Sequence, residues 1–249
     1  MKKWIATLLT FVLLLGVLSG CKQEELDLTP DDKMTIAISA LARSVTALRA
    51  QSERPVRYTV TSTRTLNGDK TMEVTSSYDT EELFTVIQTR NYDGAEQLSS
   101  QTEYTFVKSL ADNFQIISAE IHTEGDMTTK TYRVLHTLDT WQEVQSVWAE
   151  NSYGADMTYQ TYGRLEKLIV DAALSQGGAE AKVTSAKDFT LVLTRTHRTE
   201  TYKVEDNLIS QWVWAEWTAN GEDENTWNYY WNITDVTLPD LADFVLIAE

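Results

Sequence analysis

Beyond residue 56, apolar and polar residues alternate along the chain with a period of two. This alternation is typical of β-strands with one buried face, because successive side chains of a strand point to opposite sides of the sheet. Asn67-Gly68 lies between two such runs, and this dipeptide is a strong signal for a tight hairpin turn. Asp93-Gly94, Asp206-Asn207 and Asn220-Gly221 mark further turns. The pattern predicts eleven strands, which begin at residue 56 and continue over 71–78, 83–92, 98–109, 114–122, 127–135, 182–186, 189–197, 199–204, 208–219 and 226–236.

Residues 30–51 have the period of an amphipathic helix instead. Thr29 suits the N-cap, Pro30 suits the first helical position, and Asp32 lies in the first turn, where the helix dipole favours an acidic side chain. Apolar residues then recur at spacings of three and four, which places them on one side of a helix that would pack on a sheet. These residues are Met34, Ile38, Leu41, Val45 and Leu48.

A second helical region, 138–178, interrupts the strands. A short helix is predicted from Leu138, Trp141, Val144 and Trp148, and a longer one from Tyr162, Leu165, Ile169 and Ala173, with Gly177-Gly178 as its stop. A long twisted sheet curls, and its apolar inner face needs a cover. The sequence therefore predicts an α+β, mainly β fold. We expect a curved antiparallel meander, or half-barrel, of about eleven strands, with the N-terminal helix and the helical insertion on its inner face.

The first 21 residues have the organisation of a secretory signal peptide. Lys2 and Lys3 precede an apolar run, 4–17, which is shorter than the roughly 20 residues of a membrane-spanning helix. The run ends in Leu18-Ser19-Gly20-Cys21, which resembles the lipobox of bacterial lipoproteins. The resemblance implies that Cys21 carries a diacylglycerol and becomes the mature N-terminus. An ordinary signal peptide with a chance cysteine is the alternative. We expect 1–20 to be the signal, 21–29 a lipidated tether and 30–249 a single domain.

The composition is strongly acidic, with 37 Asp and Glu against 21 Lys and Arg and a formal net charge of −16. Loss of Lys2 and Lys3 with the signal would bring the mature charge to about −18. Such a charge disfavours nucleic acid and the bare anionic membrane surface as partners. The lipid must therefore hold the protein at the membrane, and the two acyl chains of a diacylglycerol suffice for stable anchoring. Cys21 is the single cysteine, so no intrachain disulfide is expected.

The order of these elements resembles the half-barrel of bacterial lipoprotein carriers and related lipid-binding lipoproteins. After the lipobox, an amphipathic helix, a long meander, a helical insertion and further strands follow one another across residues 30–245. The resemblance implies a curved sheet and helices that enclose an apolar cavity for acyl chains. It includes no motif that would assign a binding residue by position.

One hairpin near the C-terminus is rich in aromatic residues. Trp212 and Trp214 share a face of one strand, and Trp227, Tyr229 and Trp231 share a face of the next. If Trp212 pairs with Trp231, all five side chains stand on one side of the sheet. Three interpretations remain open: core packing, the wall of an apolar ligand cavity, and an exposed platform that stacks on sugar rings.

No catalytic constellation is visible in the sequence. His122, His136 and His197 are predicted on separate strands and lack the spacing of metal ligands. The sequence has no Gly-x-Ser-x-Gly motif and no glycine-rich phosphate loop. Glu222-Asp223-Glu224 is interpreted as a solvated acidic turn. We therefore expect no enzyme activity, catalytic residue, metal or cofactor.

These observations favour a monomeric, membrane-anchored, extracytoplasmic lipoprotein that binds or carries a hydrophobic ligand, in the first instance a lipid. It would lie on the outer face of the cell membrane, or on the outer membrane facing the periplasm in a host with two membranes. The alternative is a surface module that binds a glycan or a partner protein through its aromatic residues. The predicted ligand-binding residues are Ile38, Leu41, Val45, Trp212, Trp214 and Trp231.

Overall fold

A computed structural model describes residues 28–52, 57–151, 167, 170, 178–231 and 236–247, with side chains in the first range described up to residue 43. Two helices and twelve strands are assigned within these ranges. Among them, no helix is both long and apolar enough to cross a membrane. The helices are α1 (Pro30–Ser52) and α2 (Trp141–Glu150). The strands are β1 (Arg57–Leu66), β2 (Asp69–Asp79), β3 (Phe84–Asp93), β4 (Glu96–Ser109), β5 (Phe114–Glu124), β6 (Met127–Leu138), β7 (Ala179–Val183), β8 (Phe189–Arg195), β9 (Arg198–Glu205), β10 (Leu208–Thr218), β11 (Gly221–Trp231) and β12 (Val245–Leu246).

All twelve strands belong to one open, curved sheet with the order β12-β6-β5-β4-β3-β2-β1-β11-β10-β9-β8-β7. The strands β1 to β6 form one meander and β7 to β11 form a second. The two are joined where β1 pairs antiparallel with β11. The short strand β12 adds the single parallel pairing, alongside β6. The predicted mainly β, antiparallel half-barrel is thus confirmed, with β12 as one strand more than the sequence indicated.

Tight turns connect the strands as the sequence predicts. Asn67 and Gly68 both have positive φ, 54° and 87°, which is the conformation of the turn that matches strand twist. Asp206 and Asn207 adopt the same conformation, with φ of 49° and 64°. The chain reverses one residue earlier than expected in the aromatic hairpin, because Thr218 pairs with Gly221 and the turn residues are 219 and 220.

The sheet has two faces that are covered by different parts of the chain. One, which we call the helix face, bears both described helices. On it, α1 packs against β7 and buries Leu41 completely against side chains such as Leu191 of β8. Near the other end of the same face, α2 buries Val144 and Trp148 against Ile116 of β5. Both helices therefore cover the same face, as predicted.

The opposite face, which we call the tail face, is covered by the C-terminal segment 236–244. Phe84, Phe106 and Ile117 are buried there, with Leu238 and Phe244 of the tail packed against them. The run Phe244-Val245-Leu246-Ile247 is wholly apolar. Phe244 does pack, but the three residues that follow it are exposed on β12 and beyond.

Two sequence interpretations need correction, and one lies outside the described ranges. Glu222-Asp223-Glu224 belongs to β11 rather than to a turn, and Asp223 is buried. His197 lies in the turn between β8 and β9 rather than on a strand. The short insertion helix is confirmed as α2, which begins at a capping box between Thr140 and Glu143. The longer predicted helix around 162–173 falls outside the described residues apart from Lys167 and Val170, which are helical.

Candidate ligand-binding cleft

Three aromatic rings stack across neighbouring strands at the centre of the helix face. Trp212 of β10 pairs directly with Trp227 of β11, with ring centroids 3.8 Å apart and planes inclined by 17°. Tyr202 of β9 continues the stack, 5.9 Å from Trp212 and nearly parallel to it. The sequence suggested that Trp212 pairs with Trp231, but the register is shifted by four residues. An even shift preserves the side of the sheet, so Trp212, Trp214, Trp227, Tyr229 and Trp231 still share one face.

The helix face changes from charged to apolar along three strands around this stack, β1, β9 and β11. On β1, the order from the hairpin end is Arg64, Ser62, Val60 and Tyr58. On β11 it is Asp223, Asn225, Trp227, Tyr229 and Trp231, and on β9 it is Arg198, Glu200, Tyr202 and Val204. Because the strands are in register, these positions form rows across the sheet. One end of the face is consequently ionic and the other is apolar.

An ion pair between β1 and β11 marks the charged end. Arg64 donates from Nε to Asp223 Oδ1 at 3.0 Å and from Nη2 to Asp223 Oδ2 at 2.7 Å. This two-point geometry fixes the plane of the guanidinium group. The hydrogen bond to Asp223, assisted by its negative charge, raises the pKa of Arg64 above its ordinary value. The side chain of Asp223 is 12% exposed whereas that of Arg64 is 49% exposed, so the carboxylate is enclosed and its cation faces solvent.

A second ion pair lies on β9, on the other side of the aromatic stack. Arg198 Nη2 donates to Glu200 Oε1, and the Tyr202 hydroxyl donates to Glu200 Oε2 at 2.5 Å. Glu200 is buried, and each of its carboxylate oxygens accepts a hydrogen bond from a side chain of its own strand, as buried polar groups require. The hydrogen bond from Tyr202 to Glu200 therefore connects the Arg198–Glu200 ion pair to the aromatic stack.

Asn67, in the turn between β1 and β2, ties the charged end together. Its backbone N–H donates to the carbonyl of Glu222 at 2.8 Å, and its side-chain Oδ1 accepts from the Glu222 backbone N–H at 3.1 Å. Its Nδ2 also donates to the carbonyl of Asn220 at 3.2 Å. A Cβ atom added at Gly221 would lie 1.8 Å from Asn67 Oδ1. Two hairpins distant in sequence are therefore held together, which keeps Arg64 within hydrogen-bonding distance of Asp223, two residues from its register partner Asn225.

A cleft of about 590 Å³ lies over this region, on the helix face. Its walls are the stacked rings Tyr202, Trp212 and Trp227 together with Trp214. Its ionic lining consists of the two ion pairs. The remaining lining residues are Met72, Lys167 and Asn225. Five charged side chains share the lining with the aromatic rings, which distinguishes the cleft from a closed apolar cavity.

The structure brings two of the six predicted ligand-binding residues to the cleft. Trp212 is buried with its edge at the lining, and Trp214 is half-buried beside it. Trp231 lies further along the sheet, where its indole N–H donates to the Ile209 carbonyl at 2.9 Å and its ring contacts Tyr58. Two of the remaining residues, Ile38 and Leu41, pack in the core under α1 and do not line the cleft. Val45 belongs to α1, but its side chain is outside the described residues, as is Cys21.

The charged half of the cleft was absent from the site predicted from the sequence. Asp223 and Asn225 precede Trp227 at intervals of two, so strand periodicity alone could have placed them on the tryptophan face. Arg64 gave no such signal, because its partner is 159 residues away. No group of three His, Cys, Asp or Glu side chains suited to a metal ion occurs among the described residues.

An open, curved β-sheet with an aromatic and ionic cleft on its helix-bearing face defines the architecture of this protein. No family model matches the chain, and no curated protein is significantly similar to it. The chemistry of the cleft must therefore be interpreted from its own residues.

Proposed function

We propose that this protein is a non-enzymatic, membrane-anchored extracytoplasmic lipoprotein that binds or carries a lipid in the cleft of the helix face. The observation that supports a lipid is the change from ion pairs to aromatic rings along the strands. A lipid has the same division, with a polar headgroup joined to acyl chains. Each CH₂ group that leaves water contributes about 0.8 kcal/mol, so the aromatic end can supply affinity while the ionic end fixes orientation.

The anchor in this proposal is a diacylglycerol on Cys21, at the end of the lipobox-like sequence. A tethered protein meets membrane lipids at high local concentration, which suits lipid exchange or transfer. Replacement of Cys21 by Ser should abolish the incorporation of a radioactive fatty acid into the protein. Fatty-acid label retained by Cys21→Ser would refute the anchor without bearing on the cleft.

Tryptophan fluorescence tests the lipid site directly. Phospholipid added to the delipidated full-length protein should shift the emission to the blue, because acyl chains replace water around Trp214 and Trp227. Trp214→Ala should weaken lipid binding by about tenfold or more, equivalent to about 1.4 kcal/mol. The matched control is Trp217→Ala, which removes an indole that is 50% exposed on the opposite face and should leave lipid affinity unchanged.

A soluble polysaccharide serves as the second probe, because rings flanked by ion pairs also suit sugars. It should leave the emission spectrum unchanged. If polysaccharide shifts the emission and phospholipid does not, the lipid proposal fails and a glycan-binding module takes its place. If neither does, both are refuted and the hairpin aromatics are structural.

A further inference from the structure

The cleft contains more positive than negative side chains, although the chain as a whole is strongly acidic. Arg64, Lys167 and Arg198 line it together with the carboxylates of Glu200 and Asp223. The lining therefore has one positive charge in excess, against a formal net charge of −16 for the whole chain. Low-dielectric walls of stacked rings strengthen the local field of these cations.

Arg64 is oriented by Asp223, but this ion pair uses only part of its hydrogen-bonding capacity. A guanidinium group has five N–H donors, and Arg64 uses two of them on Asp223. The other three have no partner among the described residues, and about half of the side chain is exposed. Asp223 thus fixes the orientation of the Arg64 guanidinium group. The remaining N–H groups of this guanidinium match the paired oxygens of a phosphate or carboxylate.

From this geometry we infer that the cleft selects lipids whose phosphate headgroup has a net negative charge, which Arg64 and Lys167 bind while the acyl chains extend from Trp214 towards Trp227. This inference depends on the proposed lipid-binding function and adds the charge class of the ligand. The overall acidity of the protein repels anions. A preference for an anionic headgroup would consequently come from the side chains of the cleft and not from the electrostatic field of the protein's net charge.

The experiment compares short-chain phosphatidylglycerol with short-chain phosphatidylcholine of the same acyl length, both below their micelle concentrations. Binding to the full-length protein is measured by tryptophan emission and by calorimetry. We expect phosphatidylglycerol to bind at least tenfold more tightly, and added salt to reduce that difference. Equal affinities would overturn the inference while leaving the lipid function intact. Absence of binding by either lipid would refute the proposed function itself.

Variants locate the selectivity in the cleft. Arg64→Gln alone would leave a buried carboxylate unpaired, so the double variant Arg64→Gln/Asp223→Asn is the main test. It should reduce phosphatidylglycerol affinity about tenfold and phosphatidylcholine affinity by a smaller factor, because the choline cation already offsets the charge of the phosphate in phosphatidylcholine. Lys167→Gln should act in the same direction with a smaller effect. The control is Arg90→Gln, because Arg90 pairs with Glu73 on the tail face. Selectivity that survives both cleft variants would overturn the inference.

Inorganic phosphate distinguishes a headgroup site from a site for the free anion. Phosphate at millimolar concentration should compete only weakly, because it gains nothing from the aromatic wall. Phosphate that binds as tightly as phosphatidylglycerol would overturn the inference in favour of a free-anion site.

Discussion

The two halves of the sheet bury opposite faces over much of their length, although the strands of both halves alternate; the exception is the end of β5 under α2, where Ile116 is buried on the helix face. In β8 and β9, the buried positions such as Leu191 and Val204 face α1. In β4 and β5, Phe106 and Ile117 face the C-terminal tail on the other side. Strands with the same alternation therefore need different covering elements, depending on which face of the sheet carries their apolar side chains.

The cleft occupies the region where these two arrangements meet. On the helix face, the apolar rows of β8 to β11 continue to Val60 and Tyr58 of β1. Beyond them, the same face of β4 and β5 carries polar side chains such as Glu103 and Glu120, and it becomes apolar only under α2, at residues such as Ile116. No apolar layer is required over polar strands, so the described cover of α1 ends before them. Trp214 and Trp227 at this border are half-buried, whereas Trp212 is buried.

The helix-face core should be most sensitive to a buried charge. Leu41→Asp places a carboxylate without a partner among apolar side chains of α1, β7 and β8, and should lower the free energy of unfolding by at least about 4 kcal/mol. Urea denaturation measures the loss. Ser39→Asp, at an exposed position of the same helix, should change stability by less than about 0.5 kcal/mol. Similar losses for both would show that α1 does not cover the sheet.

One large-to-alanine substitution in each core allows the stabilities of the two cores to be compared directly. Leu191→Ala on the helix face and Ile117→Ala on the tail face should each cost about 2–5 kcal/mol, since both side chains are fully enclosed. Each variant should unfold in one transition, because β1 and β11 join the halves into one hydrogen-bonded sheet. Two separate transitions, with only one displaced by each variant, would show that the halves unfold independently.

The hydrogen-bonded contact between the Asn67 turn and the start of β11 should depend on Gly221. Gly221 has φ of 116°, and a side chain there would collide with Asn67, so Gly221→Ala should cost about 1–3 kcal/mol. Gly125→Ala is the control, because that turn glycine also has positive φ but no atom within 4 Å of an added Cβ. Its effect should be about 1 kcal/mol or less. Thermal unfolding compares the two, and equal losses would mean that Asn67 simply moves aside.

The smallest effect concerns a surface cluster on the tail face of β2. Tyr92 donates to Glu73 at 2.9 Å, and this hydrogen bond, together with Lys70 and Arg90, lowers the pKa of Glu73 below its ordinary value of 4.5. A lowered carboxyl pKa stabilises the fold above pH 4.5, and that stabilisation is lost as the pH falls through the lowered pKa. Tyr92→Phe should raise the pKa of Glu73 in an NMR titration. Tyr230→Phe, on a distant strand of the same face, should not change it.

Local chemistry made much of the fold predictable. Asn67-Gly68 specifies its turn because few residues tolerate positive φ, and the stripe containing Leu41 specifies a helix because its spacing matches 3.6 residues per turn. The shared face of Trp212 and Trp227 also followed from alternation, even though the predicted register was four residues off. Even displacements leave the face unchanged, so this expectation survived the error.

The sequence by itself determined the strands, their turns, the amphipathic helix and the side of the sheet on which the tryptophans stand. Each of these depends on interactions between residues close along the chain. Only the tertiary structure decided that β1 pairs with β11, and therefore that Arg64 meets Asp223. It likewise decided that Ile38 and Leu41 belong to the core whereas Trp214 borders the cleft. Contacts between distant segments depend on which apolar surfaces cover one another, and that competition involves the whole chain at once.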